Sequence, residues 1–128
     1  MNGLEFADGV IAKIRARDAQ FHERAYLFVL AAVEYLQGRL PARRHVTGAE
    51  LAWACRDLAQ AQWGLMAPAV LAYWGIGSTL DIGRIVFTLV DVGLLVTQPG
   101  DRLDDFAGVF DFDDAFRSTY EWQGVPSA

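Results

Sequence analysis

The sequence predicts a mainly helical domain that closes with a small C-terminal β-hairpin, an α+β fold. Three observations carry that expectation. Apolar residues recur at spacings of three and four through most of residues 4–92, the period of amphipathic helices. Glycine, proline and capping signals cut this stretch into pieces of helical length. After Gly93 the period shortens to two, with Phe106, Gly108, Phe110 and Phe112 alternating with Ala107, Val109 and Asp111.

In chain order, Leu4 to Ala16 places Phe6, Val10 and Ile14 four apart beside Ile11, and leaves Asp8, Lys13, Arg15 and Arg17 to water. From about Phe21 to Arg39 the run Ala25 to Val33 is apolar nearly all round, so this helix is expected to be the central, most buried one. Gly38 and Pro41 end it, and Ala42 to Val46 forms a basic loop. Thr47-Gly48-Ala49-Glu50 is a capping box, in which hydroxyl and carboxylate each satisfy one orphan N–H of a new helix. That helix carries Leu51, Cys55 and Leu58 on one face and Trp53, Arg56 and Gln60 on another, up to Gly64.

Met66, Val70, Tyr73 and Trp74 make the next stripe, with Pro68 in the first turn where a missing N–H does least harm. Gly75-Ile76-Gly77 breaks the chain, and Ser78 to Asp81 caps a helix bearing Ile82, Ile85, Val86 and Leu89 that Gly93 closes. Leu94 to Gln98 and Phe106 to Phe112 then read as two strands joined at Pro99 to Asp105. Asp113 and Asp114 cap a last helical turn through Arg117, and residues 119–128 read as a loose tail.

Three helices followed by a hairpin is the element order of a winged helix-turn-helix, here spanning residues 47–112 and preceded by a helical pair over residues 1–40. Such an order raises the question of DNA, and charge argues against it. Residues 1–64 hold eight basic and seven acidic side chains, residues 65–128 three and nine, and the whole chain has a net charge of −5. The outward face of the third helix would present Asp81, Arg84, Thr88 and Asp91, and the wing Asp101, Arg102, Asp104 and Asp105. Base readers carry Arg, Lys, Asn or Gln at that position, between two rails of phosphate.

With 128 residues, 53% of them apolar, and eight Phe, four Tyr and four Trp, the chain has material for one domain with one core. A single cysteine excludes an internal disulfide. No run approaches the roughly 18 apolar residues of a membrane span, and Glu5 and Asp8 stand where a secretion signal has cations, so a cytoplasmic protein is expected.

The segments Ala25 to Leu30, His45 to Leu51, Trp74 to Ile76, Ser78 to Phe87 and Asp105 to Phe112 resemble a family of small uncharacterised bacterial proteins, met mainly in planctomycetes, verrucomicrobia and their relatives. The resemblance spans about residues 6–116. It implies a bacterial source and brings no activity, ligand or catalytic residue with it.

Chemistry is sparsely marked. Cys55 shares a face with Leu51 and Leu58 and reads as a small buried residue, since a thiolate nucleophile needs exposure and a cationic neighbour. Two histidines and one cysteine at unrelated spacings make no zinc set. Asp111 to Asp114 lacks the glycine and the final acid of a calcium loop, and no glycine-rich phosphate loop occurs. No catalytic residue, metal or cofactor is therefore expected.

Two surfaces remain. Arg39, Arg43, Arg44 and His45 form one cationic locus before the Thr47 cap, where free N–H groups and the helix dipole favour an anion or an acidic partner. Trp53 and Phe87 fall off their helices' core stripes, and Tyr120 and Trp122 lie in the tail, which marks these four aromatics as candidates for an interface. The expected function is a protein-interaction module that self-associates as a homodimer or joins a protein partner. The alternative is a nucleic-acid-associated regulator that grips phosphate through the Arg39 to His45 loop.

Overall fold

The computed structural model of the chain describes residues 3–17 and 20–117 and has no β-strand among them. Six α-helices follow one another: α1 (Gly3–Arg17), α2 (Glu23–Gly38), α3 (Gly48–Trp63), α4 (Ala67–Tyr73), α5 (Thr79–Asp91) and α6 (Phe112–Arg117). Two 3₁₀ turns, Gly64–Met66 and Leu103–Phe106, complete the regular structure.

Local signals set the helix ends. The Glu50 N–H donates to Thr47 Oγ1 at 3.1 Å and the Thr47 N–H to Glu50 Oε1 at 2.9 Å, which completes the capping box of α3. Ser78 Oγ accepts the Asp81 N–H and starts α5, and His22 Nδ1 accepts the Arg24 N–H and starts α2. Gly64 and Gly93, with φ of 53° and 86°, turn the chain out of α3 and α5 through a region that a Cβ would strain.

Packing gathers α2, α3 and α5 around one core that holds Tyr26, Val29, Cys55, Leu58, Ile85 and Leu89. α1 lies on α2 and α5, with Ile14 pointing inward and Arg17 bonded to Asp91 at the end of α5. α4 packs on α3, and α6 on both. The most covered helix is α5, buried at seven of thirteen positions against six of sixteen in α2, where Leu27 and Ala31 face outward. The expectation that α2 is the most buried element is thus corrected. Apolar residues all round a helix raise the share that can be buried, but neighbours decide which face is.

The C-terminal hairpin is also overturned, and with it the wing. Each phenylalanine of the alternating run is held separately by tertiary contacts, which outweigh a local β preference. Phe106 presses its ring on Gly83, where an added Cβ would stand 2.7 Å away. Its carbonyl accepts the Thr79 hydroxyl at 2.6 Å, and Thr79 Oγ1 in turn accepts the Val109 N–H at 3.2 Å. Phe110 rests on Trp53 with ring centroids 4.5 Å apart, Phe112 on Phe110, and Phe116 on Phe112. Leu94 to Gln98 runs as irregular chain, and Pro99 to Asp105 passes into the second 3₁₀ turn.

The outward face expected of the third helix, Asp81, Arg84, Thr88 and Asp91, is corrected as well. On α5 Thr88 is buried, Asp81 takes the Gly77 N–H and Arg84, and Asp91 takes Arg17. The tail over residues 119–128 lies outside the described residues.

Candidate functional site

The basic loop between α2 and α3 holds the cationic locus of the sequence, Arg39, Arg43, Arg44 and His45. Arg39, just past the end of α2, donates to Tyr35 Oη at 3.0 Å and lies 5.1 Å from the Tyr35 ring centroid. Arg43 sets both terminal nitrogens on the Glu34 carboxylate, at 3.3 and 3.2 Å. Arg44 pairs with Glu50 through two bonds of 3.1 and 2.8 Å and also donates to the His45 carbonyl. His45 Nε2 stands 3.2 Å from Asp101 Oδ1. The backbone of Arg44 is itself clamped by the Gln37 carboxamide, which donates to its carbonyl and accepts from its N–H.

Electrostatics follow the geometry. The hydrogen bond and charge of Arg43 hold the Glu34 carboxyl below its ordinary range, and Glu34 raises Arg43 in return. The hydrogen bond from Arg44 is the main cause that lowers Glu50, with the Thr47 backbone and hydroxyl adding to it. Carboxylates of the chain's own first half therefore already occupy Arg43 and Arg44. A phosphate would have to displace Glu34 or Glu50.

Behind this loop lies a cavity of about 210 Å³. Val33 and Gln37 of α2, Gly48 and Leu51 at the start of α3, and Val86, Phe87 and Val90 of α5 form three of its walls. The fourth is the strap over residues 95–106, which contributes Leu95, Asp101, Arg102, Asp105 and Phe106. Glycines bring that strap close: a Cβ on Gly48 would meet the Asp105 Cβ at 3.1 Å, and Gly83 receives the Phe106 ring. Phe87 is half-buried in this wall. Arg44 and His45 line the rim of the same cavity, whereas Arg39 and Arg43 do not.

The opposite end of α3 runs into a stretch of the chain without charge. Between Asp57 and Asp81 the sequence contains no Asp, Glu, Lys, Arg or His. Phe28, Trp63 and Trp74 meet there with ring centroids 5.3 to 5.8 Å apart, and His22 stacks on Trp74 and leans on Tyr73. Outside this cluster α4 buries Ala67 and Leu71, four apart, and turns its other side to solvent. Leu65 is 92% exposed, Met66 62% and Tyr73 78%. The sequence had placed Met66 and Tyr73 on the core stripe; the buried stripe is instead that of Ala67 and Leu71. That stripe faces α3 and α6.

Of the four aromatic candidates, Trp53 is half-buried under Phe110 and Phe87 lies in the cavity wall. Tyr120 and Trp122 lie outside the described residues. Arg56 was legible only as a polar-face residue, yet it is buried. It donates through Nε to the Ala115 carbonyl at 3.0 Å and through Nη1 to Asp57 at 2.8 Å, which fastens α6 to α3. Burial raises the Asp57 carboxyl even with Arg56 beside it. The same cause pushes the Cys55 thiol up to about 12, so no thiolate forms near neutrality. Among the described residues no three His, Cys, Asp or Glu side chains converge as cation ligands, and no helix is long and apolar enough to cross a membrane.

Comparison with known protein families, with curated proteins and with solved structures finds no match to this chain.

Proposed function

We propose that the protein is an interaction module that pairs with a second copy of itself through the uncharged outer face of α4. One observation carries this reading: Leu65, Met66 and Tyr73 stand in water on a stretch that carries no charge. Together these three side chains expose on the order of 400 Å², about half of one partner's share in a standard interface. Pro68, Ala69 and Ala72 are exposed beside them and extend the patch. A two-fold contact makes such a patch its own complement. With a net charge of −5 and nine acidic residues in 65–128, two copies repel through much of their surface, and residues 58–80 bring no charged side chain of their own to the contact.

Sedimentation equilibrium over about 1 to 100 μM should show a monomer–dimer balance. Leu65→Glu and Tyr73→Glu should each shift it to monomer with the helical circular dichroism unchanged. A chain ending at Arg117 should still dimerise. Loss of the dimer on that truncation alone, or a dimer indifferent to both glutamates, overturns the proposal. Binding of duplex DNA that weakens when Arg43 and Arg44 become alanine would replace it with the nucleic-acid alternative.

A further inference from the structure

We infer that the cavity between α2, the N-terminus of α3, α5 and the 95–106 strap binds a small amphipathic monocarboxylate, its apolar body on the floor and its carboxylate at the rim. The proposal is independent of self-association, since α3 separates the two sites by about 24 Å along its sixteen residues.

Size and floor set the body. A volume of about 210 Å³ admits a ligand of roughly ten heavy atoms, below the drug-sized range. Val33, Phe87, Val90 and Leu95 give it an apolar floor of half-buried side chains, and water held on such a floor is displaced with gain.

The head group follows from which rim groups are already satisfied. Both rim carboxylates have donors: Asp101 faces His45 through Oδ1 and takes the Gln98 N–H on Oδ2 at 2.8 Å, while Asp105 takes the Arg102 N–H at 2.9 Å. Arg44 is committed to Glu50. Each rim carboxylate thus has at least one donor, whereas two rim donors have no acceptor. Among the described residues the Arg102 guanidinium has no ion pair, and the capping box, which serves Thr47 and Glu50, leaves the Gly48 N–H at the helix's positive end to an outside acceptor. A ligand that serves these two donors brings acceptors, and a planar carboxylate suits a guanidinium fork. An ammonium has no acceptor and would leave those donors unpaired, and a hydroxyl would offer them one neutral oxygen in place of two charged ones.

The test is a titration of the ¹⁵N-labelled chain with octanoate, with octanol and acetate as body-only and head-only controls. Octanoate should shift the amides of Gly48, Phe87, Val90 and Arg102 at micromolar to millimolar concentration, and octanol should bind about tenfold more weakly. Arg102→Gln, at an exposed position, should remove that tenfold preference and leave octanol unaffected. Val90→Phe should fill the floor and weaken both ligands. Shifts confined to Leu65 to Tyr73, a preference for octanol, or an Arg102→Gln chain that still prefers octanoate overturns the assignment.

Discussion

At its first residue α3 enters a mesh of ion pairs and hydrogen bonds: Arg44 on Glu50, Glu50 on the Thr47 N–H, Arg43 on Glu34, His45 beside Asp101. At its last residue the same helix enters a cluster of rings, Trp63 against Phe28 and Trp74, with Leu65 and Met66 left in water just beyond. The charged end is directional and mostly satisfied, so it holds one geometry while adding little net energy, because exposed pairs exchange good hydration for modest attraction. The aromatic end is non-directional. It contributes through area removed from water, and where area remains uncovered it can contribute again on association. One helix thus links a surface most of whose polar groups have chosen their partners to a surface whose outer apolar groups have not.

The largest expected effect lies at the aromatic end. Phe28→Ala removes a buried ring that touches both Trp63 and Trp74, and should cost about 3–5 kcal/mol in urea unfolding. Near-ultraviolet circular dichroism should change with it, as the two indoles lose their common neighbour. A cost under about 1 kcal/mol would mean that the cluster re-packs freely, and the contrast between the two ends would then be one of chemistry without energy.

Next in size is the joint that seats the strap. Gly83→Ala places a methyl group 2.7 Å from the Phe106 ring, inside any real contact, with Phe106 fixed on its other side by the Thr79 hydrogen bond. Overpacking of this kind costs about 1–3 kcal/mol. Hydrogen exchange should localise the damage, with the Val109 N–H losing protection as its bond to Thr79 opens. Protection lost evenly through α5 would show that α5, and not the strap, gives way.

These two positions also mark how far the fold could be read from the residues. The capping box at Thr47, the Ser78 cap and the breaks at Gly64 and Gly93 were legible because each acts within four residues of its own place in the chain. The alternation of Phe106, Phe110 and Phe112 was equally plain and misled, since nothing local announces that Gly83, over twenty residues earlier, has no side chain so that a ring may lie there. Arg56 failed for the same reason: its burial exists only once α6 docks and presents the Ala115 carbonyl. On α4, alanine and leucine compete with methionine and tyrosine for the inner face, and the smaller pair wins because α3 and α6 approach closely. The basic loop was legible as a cluster of cations. That Glu34 and Glu50 had already taken two of them was open in the sequence to either reading, and the cavity, gathered from four separate segments, was not legible at all.

The smallest expected effect concerns the charged end and is read through pH. Glu50→Gln keeps a side chain able to accept the Thr47 N–H but removes the charge that Arg44 holds, so it isolates the ion pair from the cap. Arg44 is half in water, and solvent screening keeps the loss at neutral pH below that of either substitution above. The sign of the pH dependence follows from the direction of the shift. Folding lowers the Glu50 carboxyl below its unfolded value, so the folded chain binds fewer protons in that window and stability rises with pH. Glu50 therefore contributes in full above an unfolded value near 4.3 and loses its contribution as pH falls through the lowered folded value. The gap in unfolding free energy between wild type and Glu50→Gln should be flat from about pH 6 to 8 and close as the solution is taken below about pH 4. Asp57 runs the other way, because burial raises it and folding then favours its protonated form, but it is common to both chains and cancels from the difference. Leu65→Gln, at the uncharged end, should give a difference with no such closure. A gap that stays open in acid would show that it does not come from the Glu50 charge and owes nothing to Arg44, and the two ends of α3 would differ in packing alone.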